Sequence, residues 1–259
     1  MPASLPLLHA PVSRRSARGL AVALCLLATT GPAGNVLAAD ADELLAPFSA
    51  EYRVRFSALP FSARATRSLA REGEGWLFRS VIDARLLSLR QEAVLASDPV
   101  LRALEYRYRQ GGLARRRERV VTFDRDAGLV RRSGDKEREH PLIEPAWDPL
   151  GWQLALRRDL VRDHPALAAR YEYRVSDGGD YENYSFTPGL RETVTVPAGT
   201  FEALRLERAP VPEGEEATRL WLDPGQDYLL LRMELVDEDG RELTVTLETP
   251  PDPAAAEKP

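Results

Sequence analysis

The sequence predicts a mostly β protein: a large curved antiparallel sheet, or open β-barrel, with one helix packed across it. Three observations carry that prediction. Apolar and polar residues alternate with period two in segment after segment, as strands with one buried and one solvated face require. Short Gly- and Asp-rich turn signals separate these segments, which is the mark of a meander. A single stretch, Asp148 to Pro165, breaks the period and reads as helix.

The clearest strand is 48–56, where Phe48, Ala50, Tyr52, Val54 and Phe56 alternate with polar neighbours. The same pattern recurs at 76–86, 101–109, 169–175, 217–222, 228–236 and 242–248, and a basic strand or hairpin edge is expected around Arg115–Arg119. Turns are expected at Glu72-Gly73-Glu74-Gly75, Gly111-Gly112, Asp126-Ala127-Gly128, Ser133-Gly134-Asp135, Asp177-Gly178-Gly179, Asp223-Pro224-Gly225 and Asp239-Gly240. The helix is expected to open at Asp148-Pro149, a capping carboxylate followed by a proline whose fixed φ suits the first helical position. Its apolar residues, Leu150, Trp152, Leu154, Leu156, Leu160 and Val161, make a broad stripe suited to packing on a sheet, and Pro165 ends it.

The stretch TVTVPAGTFEALRLE at 193–207 reads as a hairpin. A three-residue loop, Pro197-Ala198-Gly199, would set Val196 opposite Thr200 and place Val194, Val196, Leu204 and Leu206 on one face. Proline suits the first turn position and Gly199 the left-handed one. On this reading the loop is a corner of the sheet, not a clamp on a substrate.

The N-terminus reads as a secretory leader. Arg14, Arg15 and Arg18 precede the short apolar run 20–27, and small residues lead to a cleavage site after Ala38. Arg14-Arg15 lacks the apolar residues that a twin-arginine signal needs next, and Leu24 before Cys25 argues against lipidation. The chain therefore divides into a signal peptide at 1–38, a single β domain at 39–249 and a disordered Pro/Ala-rich tail at 250–259. The expected fate is export. The one cysteine, Cys25, leaves with the leader, so the mature chain forms no internal disulfide. Net charge is −5 with the leader and more negative without its three arginines, a poor balance for nucleic acid. No later apolar run is long enough to span a bilayer, so no transmembrane anchor is expected.

The residues name no chemistry. Past the leader the only histidines are His140 and His164; no G-x-S-x-G or H-E-x-x-H occurs, and no cofactor or metal is called for. Asp177-Gly178-Gly179-Asp180 is an acidic turn. Tyr52, Phe56, Trp147, Trp152 and Trp221 are candidates to line an apolar groove left where one helix incompletely covers a curved sheet. Arg115, Arg116, Arg117 and Arg119 are candidates for a patch facing an anionic partner, against the alternative of a charged edge that discourages strand pairing.

The 48–56 strand, the DPLGWQLALR segment, TVTVPAGTFEALRLE, RLWLDPGQDYLLLRMEL and DEDGRELTVTLE together resemble the DUF3108 family of exported bacterial proteins of unknown function, over residues 47–249. The resemblance implies a periplasmic antiparallel β protein, similar in architecture to the open barrel and helix of the LolA/LolB carriers. It brings no catalytic residues. In one departure, Gly151 stands where the family leads one to expect Ser. The expected function is non-enzymatic: binding of an apolar or amphipathic envelope component, such as a lipid, in the groove. The rivals are a structural or assembly factor that contacts an envelope protein and, less in keeping with the residues, a carboxylate-based hydrolase.

Overall fold

The computed structural model describes residues 45–57, 62–84, 87–97, 100–112, 116–208, 217–236 and 240–252. The leader expected at 1–38 lies outside them. The chain begins with eight consecutive strands: β1 (Phe48–Phe56), β2 (Ser62–Glu72), β3 (Gly75–Ala84), β4 (Leu87–Ala96), β5 (Arg102–Gly112), β6 (Arg117–Asp124), β7 (Leu129–Gly134) and β8 (Arg138–Pro141). The helix α1 (Trp152–Asp163) follows. Six more strands complete the fold: β9 (Tyr171–Ser176), β10 (Tyr181–Val196), β11 (Gly199–Arg208), β12 (Ala217–Asp223), β13 (Leu229–Val236) and β14 (Glu242–Leu247). All are antiparallel in one 14-stranded sheet ordered β8-β7-β6-β5-β4-β3-β2-β1-β14-β13-β12-β11-β10-β9. The fold class is as the sequence predicts.

Within each half, strands pair with their sequence neighbours, and the two halves join where β1 meets β14, with Tyr52 opposite Leu247 and Phe56 opposite Leu243. One face of this sheet is apolar. Every even residue of β1 is buried, and Ala103, Tyr106, Val121, Phe123, Leu206 and Leu247 have no more than 3 % exposure. Side chains from β1, β2, β9 and β10 all reach α1, so the sheet curls around the helix. Trp152 stacks on Phe186 with ring centroids 5.0 Å apart, and Asp159 accepts a hydrogen bond from the Tyr173 hydroxyl at 2.9 Å. Leu154, Ala155, Leu156 and Leu160 are almost fully buried. Each such leucine contributes roughly 2 kcal/mol of apolar burial.

The helix starts later than its sequence signal suggests. Asp148 Oδ1 accepts from the backbone N–H groups of Leu150 and Gly151 at 2.8 and 2.7 Å, closing a turn that precedes α1. The capping chemistry at Asp148 is therefore real, but it serves that turn, while Gly151 is the residue that caps α1. A Cβ at position 151 would lie 2.4 Å from Asp148 Oδ2, so glycine makes room for the buried carboxylate.

The strand ladder does not close into a barrel, yet its two edges meet. Trp147 bridges Val175 in parallel, donating from its backbone to Arg174 O and accepting from Ser176 N, both at 2.9 Å. Beside that bridge His140 Nε2 lies 2.8 Å from Ser176 Oγ, and the Tyr181 hydroxyl accepts from Ile143 N at 3.0 Å. Arg119 Nη1 donates to Asp177 Oδ2 at 2.6 Å. Gly178, at φ +83°, approaches so closely that a Cβ there would lie 2.4 Å from Arg132 Cβ.

Two expectations need correction. The β10–β11 hairpin pairs Val196 with Gly199 and Thr195 with Thr200, a two-residue loop of Pro197 and Ala198 with Gly199 at φ +142°. Val194 consequently faces Phe201, on the opposite side of the hairpin from Leu204. The shorter loop is compatible with burial because the tip is anchored: Ala198 N donates to Leu247 O of β14 at 3.2 Å. The paired chain also continues past 249, since Ser49 and Asp252 exchange two backbone hydrogen bonds at 3.2 and 2.9 Å. Truncation after Thr249 is expected to remove about 1 kcal/mol and lower Tm by about 2–4 °C in a calorimetric scan.

Candidate functional site: a cleft beneath the helix

Where α1 lies over β1, β2, β3, β12 and β13 it leaves a narrow cleft of about 30 Å³. Its walls are apolar: Phe48, Tyr52, Phe78, Leu156, Leu220, Leu222, Leu229 and Leu230. Its polar groups are Arg67, Gln153 and Arg157. Arg67 occupies the inward register of β2, in line with buried Ala63, Ala65 and Leu69. Arg157 comes from the face of α1 turned toward β1, and both arginines are only 7 % exposed.

Their surroundings are unusual for arginine. The Arg67 guanidinium donates to Gln153 Oε1 and lies over the rings of Phe78 and Tyr52, at 5.0 and 5.9 Å. Arg157 Nε donates to the backbone oxygen of Asp227 at 3.0 Å, and its guanidinium lies 4.8 Å from the Phe48 ring centre. Neither forms an ion pair with a carboxylate among the described residues. Burial lowers the pKa of both guanidinium groups, that of Arg157 to about 10, with Tyr52 and Asp227 opposing the shift and Arg67 adding to it. The Tyr52 hydroxyl, which donates to Leu230 O at 3.0 Å, is pushed up by the same burial. Both cations remain charged at neutral pH, held by a carbonyl, an amide and aromatic faces rather than by an anion.

Of the aromatic residues proposed to line a groove, Tyr52 lines this cleft. Phe56 and Trp152 are buried in the core but outside the cleft lining. Trp147 lines a separate open hollow of about 620 Å³ with Val100, Leu101 and Leu142, where Arg125 is already paired with Glu144 at 2.8 Å. Trp221 must be corrected. Leu220 and Leu222 point into the cleft, so Trp221 between them faces the other side of the sheet, where Arg205 and Arg232 cover it and Glu192 accepts from its indole N–H.

The arginine patch is also corrected. Arg115 lies outside the described residues. Arg116 and Arg117 are exposed, but Arg119 sits opposite Tyr108 on the inward face. There it is 3 % exposed and bound to Asp177, with Asp135 at 3.9 Å. It closes the seam and presents nothing to solvent.

One juxtaposition has no counterpart in the sequence motifs: His140 and Ser176, 36 residues apart, lie in hydrogen-bond contact. Ser176 Oγ also accepts from Gly178 N at 3.0 Å, and the residue is 1 % exposed. A hydroxyl so enclosed admits no substrate carbonyl, and the pair pins β8 to β9. His164 ends α1 and contacts the Tyr228 hydroxyl at 2.8 Å. Among the described residues, no group of three or more His, Cys, Asp or Glu is placed to hold a metal ion, and no helix is long and apolar enough to cross a membrane.

These features define a barrel-like sheet wrapped around one helix, with an arginine-bearing cleft between them. The chain belongs to the family of proteins of unknown function DUF3108, whose pattern matches residues 51–248. No curated protein matches it. Among solved structures it is similar to a β-barrel-like protein of the domain of unknown function DUF1849 from Brucella abortus. That likeness has a TM-score of 0.52 at 10% identity and covers 80% of this chain and 98% of the other. A protein with YmcC-like fold from Bacteroides fragilis NCTC 9343 matches at a TM-score of 0.30 and 10% identity, over 79% of this chain and 95% of its own. The first likeness concerns the fold alone.

Proposed function

We propose that this protein is a periplasmic, non-enzymatic binding protein that holds an apolar or amphipathic component of the cell envelope, such as a lipid, between α1 and the sheet. The observation that carries the reading is the cleft: leucine and aromatic walls gathered from both halves of the sheet around two buried arginines. Aromatic and aliphatic walls with a few convergent polar groups are the usual make-up of a small-molecule site. Export rests on the basic and apolar leader ending at Ala38, and Edman sequencing of the mature protein is expected to start at Ala39.

The cleft, at about 30 Å³, has room for roughly two waters, not for an acyl chain. Binding therefore displaces α1, and the helix acts as a cover. Few polar side-chain contacts tie it to the sheet, chiefly Arg67–Gln153, Arg157–Asp227 and Tyr173–Asp159. The rival reading, a docking factor, would rest on the exposed Arg116 and Arg117 without Arg119, which is internal. Protein purified without detergent from cell envelopes is expected to carry a lipid mass in native mass spectrometry. After delipidation it should bind a fluorescent fatty acid saturably at one site. Protein free of lipid that also shows no saturable binding would overturn the proposal.

A further inference from the structure

We infer that Arg67 and Arg157 form the receptor for an anionic head group, a carboxylate or a phosphate, on a ligand with a single apolar tail. The inference rests on the cleft reading above and adds the chemistry of recognition.

The other well-buried arginines of this protein provide the contrast. Arg119 is bound to Asp177 and Arg132 to Asp135, with arginine side chains 3 % and 8 % exposed. Arg158 is bound to Asp159 and Arg208 to Glu182, with arginine side chains 16 % and 14 % exposed. Each has a carboxylate. Arg67 and Arg157 are buried as well, but among the described residues their hydrogen-bond acceptors are only a side-chain amide and a backbone carbonyl. Buried charge without a counter-charge is costly, and two like charges beside one cleft raise that cost.

The geometry leaves donors in reserve. Arg67 Nε and Arg157 Nη1 are buried and make no hydrogen bond to another group among the described residues. A guanidinium presents planar pairs of N–H groups that fit carboxylate and phosphate oxygens, and such charge-assisted bonds are the stronger class. Gln153, which also lines the cleft, can release Arg67 to an incoming anion, because its amide is a neutral and weaker partner. Beyond the two arginines the walls include Phe48, Phe78, Leu156, Leu220, Leu222 and Leu230, and the lining carries no further charge. Head and tail of an amphiphile are both provided for. Arg157 also faces Asp227, whose charge acts at longer range, but whose direct contact with the guanidinium is through the backbone oxygen.

The test uses delipidated mature protein and three ligands with the same chain: dodecanoate, dodecyl phosphate and dodecanol. Isothermal titration is expected to show at least one anionic ligand binding about ten-fold or more tightly than the alcohol. Arg67→Met and Arg157→Met are expected to bring the ratio of anionic-ligand to dodecanol affinity, measured in the same variant, down to about one, while Arg→Lys at either site keeps part of the preference. Circular dichroism confirms that each variant is folded. Preference for dodecanoate over dodecyl phosphate would point to a fatty acid, and the reverse to a phospholipid-derived head. Equal affinity for alcohol and acid would overturn the anion receptor while the cleft reading stands. Binding of none of the three would overturn both.

Discussion

Asp148→Asn is expected to make the protein more stable at pH 8, relative to wild type, than it is at pH 4, by about 3 kcal/mol. Asp148 is fully buried, and desolvation raises its pKa to about 6 against an ordinary 3.8, outweighing the hydrogen bonds it accepts from Gly151 and Leu150. A carboxyl whose folded pKa is raised favours the folded state while it is protonated. Its contribution is complete below pH about 4 and is lost as pH rises through about 6. A rise from 3.8 to about 6 corresponds to roughly 3 kcal/mol. Only Oδ1 is engaged by the turn, while Oδ2 makes no hydrogen bond among the described residues and lies where a Cβ on Gly151 would intrude. An asparagine retains the accepting oxygen and removes the buried charge. Urea unfolding of both proteins at pH 4 and pH 8 measures the difference of differences, which cancels the common effect of the substitution. A pH-independent offset between the two would show that Asp148 ionises as freely in the folded protein as in the unfolded chain.

Asp177→Asn is expected to destabilise the protein by about 2 kcal/mol and lower Tm by roughly 4–8 °C. Asp177 is the carboxylate shared by Arg119, at 2.6 Å, and Arg132, at 3.6 Å, and both arginines are buried where the edges of the sheet meet. Neutralising it leaves two close cations with Asp135 as their one carboxylate among the described residues, at 3.9 and 2.7 Å. The effect is smaller than for a wholly buried pair because the Asp177 side chain is itself 31 % exposed. Glu118→Gln is the control. Its pair with Arg109 has side chains 45 % and 55 % exposed, and its loss should change stability by less than about 0.5 kcal/mol. Equal effects of the two substitutions in thermal unfolding would mean that the seam is not held by its buried charges.

Much of this architecture is legible in the sequence itself. Period-two alternation locates β1, β3, β5 and β13 because their inward residues are large and apolar. It fails on β2, whose inward residues are Ala63, Ala65, Arg67 and Leu69. Small residues and an arginine do not read as a buried face, so the strand that carries half of the arginine pair escapes the pattern. A signal is nevertheless present: an arginine in the inward register of an otherwise apolar alternation is a buried cation, which needs a partner of some kind. Trp221 is misplaced for the opposite reason. A large aromatic residue reads as core, but its register sets it against Arg205 and Arg232 on the other face. Arg119 looks like one member of a charge run until its pairing with Tyr108 turns it inward. The His140–Ser176 contact and the Asp177 network arise only when the last strand of one meander meets the first strand of the next. No local pattern encodes that meeting.

The central claim is that the ligand lies between α1 and the apolar face of β1, β12 and β13. Photolabelling with a fatty acid that carries a diazirine on its tail, followed by peptide mapping, tests it most directly. Adducts are expected on peptides that contain Leu156, Leu220, Leu222 and Leu230, and excess unlabelled fatty acid should suppress them. Adducts confined to the hollow around Trp147, or to the outer face around Trp221, would contradict the account.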